Sequence, residues 1–313
     1  MTRRFDSDMA PFFGYQILDH SLGDAAPVAL FDRIVGLAQA AEAAGFDSVT
    51  VSDHFEFGDT PVLEAYMTLG ALAACTRRIR IGSLVSGVTY RNPALLAKMV
   101  TTLDVLSQGR AILGLGAAWH EPEHRSYGFE FPPIGERMDR LDEALTICRL
   151  MFTEERPSFE GRHHRIEDAG NFPRPIQPGG PKIWIGGGGE KRTLRLLARH
   201  GDIGHWTGPL ADLRRKSEVL DRHCEAEGRD PSAILRTVGA PVLLVESEAD
   251  LAAAEDRILP ERRNVVVPAT VDQAVDVLGP YLDEGFGGFV FTNAALRTPE
   301  EIALAGELVA RFR

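Results

Sequence analysis

The chain has 313 residues, of which 44% are hydrophobic and 25% charged, and its formal net charge is -11. This composition is typical of a globular protein with a large core. The acidic balance, without a basic stripe interleaved with aromatic residues, excludes nucleic acid as the expected partner. No apolar run approaches the roughly 18 residues of a membrane span, and no apolar segment follows Arg3 and Arg4 as in an export signal. We expect a cytoplasmic protein with no membrane contact.

The predicted elements repeat a unit of strand, loop and helix along the chain. Apolar runs predict strands at residues 12–18, 46–52, 79–85, 110–115, 181–185, 202–206, 235–245 and 288–292. Helical periodicity and caps predict helices from 27 to just before Gly45, and at 61–74, 93–106, 135–152, 190–199, 210–227, 248–258, 271–284 and 299–312. Two segments depart from the repeat: 121–133 is expected to be irregular, and 157–169 to form a short hairpin.

Eight strands alternating with helices predict a parallel (β/α)8 TIM barrel with an insertion after the fourth strand. The nearly continuous apolar strands fit a parallel sheet covered by helices. The alternative is a doubly wound open sheet, which usually has fewer units and a clearer break at its midpoint. No linker or low-complexity tract indicates a second domain, so residues 1–313 are expected to form one domain.

A run of glycines follows the fifth predicted strand, where a barrel carries its functional loops. Backbone N–H groups exposed by such a run, together with the start of a helix, form a cradle for phosphate. Lys191 and Arg192 follow the run and add positive charge. The alternative is a plain tight turn, for which one or two glycines would be enough. The run consists of Gly186, Gly187, Gly188 and Gly189.

Two other strand ends carry candidate residues. His54 follows Asp53 at the end of the second strand, where it either transfers a proton or hydrogen-bonds a flavin-like ring; a lone histidine is more often structural. Trp119 and His120 close the fourth strand, where they either flank a ring system or fill the end of the barrel.

Two motif matches carry less weight. Residues 114–119 nearly match a dinucleotide-binding fingerprint, but the third glycine is missing and no helix is predicted after them. Residues 120–124 read His-Glu-Pro-Glu-His and match a zinc signature that works only on a regular helix. Pro122 is tolerated only in a first turn, and no third ligand follows. We therefore expect no metal, interpret His124 as a loop residue, and keep a zinc hydrolase as a distant alternative.

The chain resembles the bacterial luciferase-like flavin and deazaflavin oxidoreductases over nearly its whole length. It is most similar to the branch that uses the deazaflavin coenzyme F420. The segments that carry the resemblance are AGFDS at 44–48, SDHF at 52–55, residues 80–93 with Ala97 and Lys98, SQGR at 107–110, residues 114–119, FPP at 131–133 with Glu136 and Arg137, and residues 187–194.

The resemblance implies a barrel whose cofactor lies across the C-terminal ends of the strands. It also implies a non-prolyl cis peptide at about Leu84 and Val85, bulging under the ring, a phosphate loop at the glycine run with Lys191, and His54 beside the ring. Some relatives carry a glutamate proton donor where Trp119 stands, so His54 and His120 are the catalytic candidates. The cofactor contacts are then Asp53, His54, Leu84, Val85, Ser86, Gly87, Trp119, Gly187, Gly188, Gly189, Lys191 and Arg192.

The predicted function is F420-dependent hydride transfer between C5 of the deazaflavin and a small organic substrate. The alternative cofactor is FMN, in an oxygen-using monooxygenase supplied by a separate reductase. A non-catalytic coenzyme-binding protein is a third hypothesis. The expected partners are a small-molecule substrate, a second copy of the chain contacting helices near the second and third strands, and a reductase that supplies reduced flavin or F420.

Overall fold

Eight parallel strands close into a ring in the computed structural model, which describes residues 10–18 and 27–313. The strands of the described chain are β1 (Phe12–Ile17), β2 (Ser48–Val51), β3 (Arg80–Ser83), β4 (Ser86–Gly87), β5 (Ala111–Gly116), β6 (Phe159–Glu160), β7 (Arg165–Ile166), β8 (Lys182–Gly186), β9 (Ile203–Trp206), β10 (Leu235–Gly239), β11 (Val242–Leu244), β12 (Val267–Ala269) and β13 (Gly288–Thr292). The ring runs β1, β2, β3, β5, β8, β9, β10, β13 and back to β1, and β4 continues the third strand beside β5.

Helices cover the outside of this ring. They are α1 (Pro27–Ala43), α2 (Ala65–Cys75), α3 (Pro93–Leu106), α4 (Glu121–Tyr127), α5 (Ile134–Thr153), α6 (Thr193–His200), α7 (Leu210–Ala226), α8 (Leu251–Glu255), α9 (Val271–Asp283) and α10 (Pro299–Ala310). The predicted (β/α)8 barrel is thus confirmed. Among the helices of the described chain, none has the length and apolar character needed to cross a membrane.

The barrel has two apolar cores because alternate strand residues face opposite sides of the sheet. Ile183 and Ile185 of β8 pack with the helices in the large outer core. Trp184, between them, packs with Ile112 and Val290 in a separate inner cluster that fills the ring. The C-terminal ends of the strands, together with their loops, form one face of the barrel, which we call the mouth.

The segment 121–133 contains a helix, so the prediction of an irregular segment is wrong for its first half. Helix α4 begins at Glu121, and Pro122 lies in its first turn, where its missing N–H breaks no helical hydrogen bond. Gly128 ends α4 in the left-handed conformation, with φ 73°. A helix of only seven residues has too few positions for apolar periodicity to reveal it.

Other boundaries also differ from the prediction, among them that of the helix expected at 248–258, which is α8 (Leu251–Glu255). The strand expected at 235–245 is broken by Pro241: β10 belongs to the barrel, whereas β11 pairs with β12 in a separate parallel sheet. The helix expected from 61 begins at Ala65, because the carboxylate of Glu64 caps it by accepting from the Met67 amide at 2.7 Å. The helix expected from 190 begins at Thr193. The antiparallel pair β6 and β7 lies within the segment predicted as a hairpin.

Candidate active site

The third strand is interrupted at the mouth by a bulge, residues 84–85, whose peptide bond between Leu84 and Val85 is cis, as the resemblance implies. The side-chain amide of Gln16 on β1 donates to the Leu84 carbonyl at 2.6 Å and is buried. Gly116 and Gly186 flank the bulge: a Cβ added to them would come within 2.8 Å and 3.0 Å of a Val85 methyl group. These two glycines therefore make room for Val85.

A buried polar network lies behind the bulge. The Ser86 hydroxyl lies 2.9 Å from the Ser83 hydroxyl and 3.1 Å from the Tyr66 hydroxyl, and it also hydrogen-bonds Asp53. Asp53 accepts from both terminal nitrogens of Arg91, at 2.6 and 3.1 Å. Burial works to lower the pKa of Arg91, but the Asp53 carboxylate raises it above its ordinary value, so the guanidinium stays charged. Asp53 thus supports the bulge from inside, with a fully buried side chain.

His54 is bound to a buried carboxylate. Its Nδ1 lies 2.7 Å from Oε1 of Glu123, which also accepts from the Tyr90 hydroxyl, while Oε2 accepts from the Phe55 amide at 2.9 Å. Burial alone would raise the pKa of Glu123, but these hydrogen bonds hold it at about 2. Because an ionised carboxylate only accepts, Nδ1 of His54 carries the hydrogen, and Nε2 is free of this bond.

Aromatic rings surround His54 at the mouth. The ring centroids of Phe57, Trp119 and His120 lie 5.5, 5.8 and 5.7 Å from that of His54. Trp119 is 65% exposed and Phe57 43% exposed, whereas the His54 side chain is only 17% exposed. The structure therefore brings the candidates from the second and fourth predicted strand ends into one cluster.

His124 is a buried helical residue, so its interpretation as a loop residue is wrong. Its Nδ1 donates to the His120 carbonyl at 2.8 Å, and its Nε2 lies 2.6 Å from the Thr89 hydroxyl. A carbonyl can only accept, so Nδ1 carries a hydrogen, and in the neutral ring Nε2 accepts from the Thr89 hydroxyl. Both ring nitrogens are thus used within the fold. In the chain as described, no three His, Cys, Asp or Glu side chains are placed to hold a metal ion.

The glycine run leaves β8 as a loop with unused donors. Gly187 has φ 102°, and α6 begins only six residues later. Within the described chain, the amides of Gly188, Gly189 and Lys191 have no hydrogen-bond acceptor. Val85 of the bulge contacts Gly186, so the loop begins next to the bulge. Free backbone donors at this point can bind an anion.

The two predicted cations of this loop differ in their surroundings. Arg192 donates to the Gly135 carbonyl at 2.9 Å and pairs with Asp139, so its guanidinium is directed to α5. Lys191 is exposed, and its side chain makes no hydrogen bond or ion pair with the described residues. The cofactor contacts predicted for both residues remain predictions.

A sequence model of the luciferase-like monooxygenase family matches residues 12–312. The chain belongs to this family. An F420-dependent glucose-6-phosphate dehydrogenase of Intrasporangium calvum is 32% identical over 289 residues, covering 80% of this chain and 85% of the relative. The enzyme of the same name from Amycolatopsis mediterranei is 32% identical over 295 residues, covering 82% and 87%. The resemblance found in the sequence is thus confirmed.

Solved structures share the luciferase-like fold. An F420-dependent secondary alcohol dehydrogenase in complex with an F420-acetone adduct superimposes with a TM-score of 0.82, at 19% identity, over 97% of this chain and all of that one. A riboflavin lyase superimposes with a TM-score of 0.83 at 16% identity, covering 97% of this chain and 91% of that one. At these identities the likeness shows the barrel and no more.

Sequence reasoning missed three residues of this luciferase-like site. Glu123 lies within the rejected zinc motif. That motif marked a functional segment but indicated metal binding, whereas Glu123 is the hydrogen-bond partner of His54. Gln16 lies on the first strand, and no pattern relates it to a carbonyl 68 positions away. Lys216 on α7 lies against the glycine run, a contact between distant segments that spacing cannot show.

Proposed function

We propose that this chain is an F420-dependent oxidoreductase that exchanges a hydride between the deazaflavin and a small organic substrate with a hydroxyl or carbonyl carbon. The F420 dependence named for the relatives at 32% identity supports the cofactor. The observation that carries the proton chemistry is the pairing of His54 with the ionised Glu123 at the mouth of the barrel.

The residues at the mouth fit such a cofactor. The half-buried Val85 of the bulge offers a surface for a flat ring, whereas Ser86 and Gly87, which follow it, are buried. The free amides that follow β8 suit a phosphate. Because Val85 contacts Gly186, ring and phosphate would occupy adjoining parts of one site. We assign the ring contacts to Leu84, Val85 and Trp119, with His54 beside them, and the phosphate contacts to the loop.

When bound, F420 supplies C5 of its ring as the hydride acceptor or donor. In substrate oxidation, the hydroxyl carbon loses the hydride and Nε2 of His54 takes the hydroxyl proton; in reduction, Nε2 returns it. Glu123 fixes the tautomer with hydrogen on Nδ1 and stabilises the imidazolium that forms. Trp119 and Phe57 shield this proton transfer from water. His120, whose ring has no hydrogen bond within the described chain, is the second candidate for the proton.

A fluorescence titration of the purified protein with F420, and in parallel with FMN, tests the proposal. We expect tight binding of F420 and much weaker binding of FMN. Tight binding of FMN alone would overturn the proposal in favour of an oxygen-using monooxygenase, and oxygen uptake with a reductase would then be followed. If the protein binds neither F420 nor FMN, the glycine run after β8 is a simple turn and not a phosphate site. Binding of F420 without turnover on a broad panel of alcohols and carbonyl compounds would support the coenzyme-binding protein instead.

We also propose that the protein is a homodimer formed through α2 and α3. Met67 on α2 and Leu95 on α3 are exposed apolar side chains, 78% and 53% accessible. Apolar residues on neighbouring helices are typical of an interface between copies. Light scattering on wild type and on a Met67→Glu, Leu95→Glu double variant tests this: a monomeric wild type contradicts it.

A further inference from the structure

We propose that Lys216, on helix α7, is the cation that binds the cofactor phosphate at the glycine run. This inference rests on the proposed F420 function and deepens it by naming a phosphate ligand. The sequence points instead to Lys191 and Arg192, which follow the glycines directly. In the structure, the ammonium group beside the glycine run is that of Lys216.

The end of the Lys216 side chain lies on the loop itself. A Cβ added to Gly188 would come within 2.9 Å of both Nζ and Cε of Lys216. The ammonium group is therefore next to the backbone of Gly188, whose N–H has no acceptor in the described chain. A cation and free N–H donors at one point form a site for a phosphate group.

The charge on Lys216 is uncompensated, unlike the charges beside it. Arg214 pairs with Glu284 at 2.5 Å, and Arg215 pairs with Glu190 at 2.8 Å. Lys216 is half-buried and makes no ion pair with any described residue. In a chain with a net charge of -11, carboxylates to pair with are plentiful. An unpaired, half-buried ammonium beside free amides thus lacks a partner that a bound anion would supply.

The loop is held from both sides, so these donors are fixed before a ligand binds. On one side, His223 of α7 donates from Nε2 to the Glu190 carbonyl at 2.8 Å, and Arg215 binds the Glu190 carboxylate. On the other, Arg192 binds the Gly135 carbonyl and Asp139. Arg192 therefore positions the loop rather than binding the phosphate. Preorganised donors lose little entropy on binding.

The test compares Lys216→Gln with wild type in fluorescence titrations using two probes. One is F420, and the other is FO, which has the same deazaflavin ring and ribityl chain but no phosphate. We expect the dissociation constant for F420 to rise about 10- to 100-fold, as for the loss of a charge-assisted contact, and that for FO to stay unchanged. Lys216→Arg, which keeps the charge, should retain most of the affinity.

Lys182→Gln is the matched control, since Lys182 lies at the opposite end of β8, near Asp202 at 3.5 Å. It makes the same change in net charge, and we expect it to leave both dissociation constants unchanged. Unaltered F420 binding by Lys216→Gln overturns the inference while the proposed function stands. An equal loss for F420 and FO overturns it too, because Lys216 would then be structural. A wild type that binds neither probe overturns the proposed function itself.

Discussion

The two halves of the mouth are built in opposite ways. Around the bulge, the polar groups are bonded to one another: Gln16 to the Leu84 carbonyl, Asp53 to Arg91, and His54 to Glu123. At the glycine run, the loop is tied at its ends, while the amides of Gly188 and Gly189 and the Lys216 ammonium have no hydrogen bonds or ion pairs within the described chain. The polar groups around the bulge have their hydrogen-bond partners within the protein. The donors at the glycine run lack partners, which a ligand would supply.

This difference separates orientation from binding. Bonds formed within the protein fix His54 and the bulge at no cost to the ligand, so changes there should act mainly on turnover. Unused donors gain their partner only when a ligand arrives, so changes there should act mainly on affinity. The division predicts that kcat and the dissociation constant of F420 respond to different halves of the mouth.

The largest effect is expected for His54→Asn. The Asn side-chain amide can still donate to Glu123 in place of Nδ1–H, but the variant has no counterpart of Nε2. We expect turnover to fall by about 10²- to 10⁴-fold, the usual value of a general acid or base, with F420 affinity nearly unchanged. Steady-state loss of deazaflavin absorbance and the fluorescence titration measure the two quantities.

His120→Asn is the control for this pair of measurements, because its ring lies 5.7 Å from that of His54 in the same aromatic cluster. It should lose less turnover than His54→Asn. A larger loss for His120→Asn would transfer the proton role to His120. Full turnover in His54→Asn would remove His54 from the mechanism.

Glu123→Gln should have the next largest effect on turnover. The substitution keeps the shape of the side chain but removes the charge that fixes Nδ1–H and stabilises the imidazolium. We expect kcat to fall on the order of 10- to 100-fold, less than for His54→Asn because Nε2 remains. Glu121→Gln, on the exposed side of the same helix, is the control. An unchanged kcat in Glu123→Gln would mean that the pairing with His54 is only structural.

The same carboxylate should make the fold sensitive to acid. Hydrogen bonding holds the pKa of Glu123 at about 2, against an ordinary value of 4.5. A carboxyl group whose pKa is lower in the folded than in the unfolded state stabilises the folded state. This stabilisation is fully present above about pH 4.5 and is lost as the pH falls from there toward 2. Its size is on the order of 3 kcal/mol. Urea unfolding at about pH 6 and about pH 3 should therefore show a smaller loss of stability in Glu123→Gln than in wild type; equal losses would contradict this account.

Sequence reasoning succeeded where the cause of a structure is local. Helix α3 has the predicted bounds because Asn92 accepts from the Ala94 amide at 2.9 Å and Pro93 is suited to the first helical position. Sequence reasoning failed where one residue is compatible with two structures. A proline such as Pro122 interrupts the interior of a helix but is accepted in its first turn. Spacing also gave no indication of contacts between distant segments, such as that of Lys216 with Gly188.

The smallest expected effect concerns the space around the bulge. In Gly116→Ala the new methyl group would come within 2.8 Å of Val85, and overpacking of this kind costs about 1–3 kcal/mol. Because Val85 belongs to the half of the mouth around the bulge, the variant should lower kcat. The phosphate-dependent affinity, measured as the ratio of the FO and F420 dissociation constants, should stay the same. Gly279→Ala on α9, where a Cβ meets nothing within 4 Å, is the control and should change neither. A change in the FO to F420 ratio in Gly116→Ala would show that the two halves are coupled through the contact of Val85 with Gly186, and the separation of orientation from binding would fail.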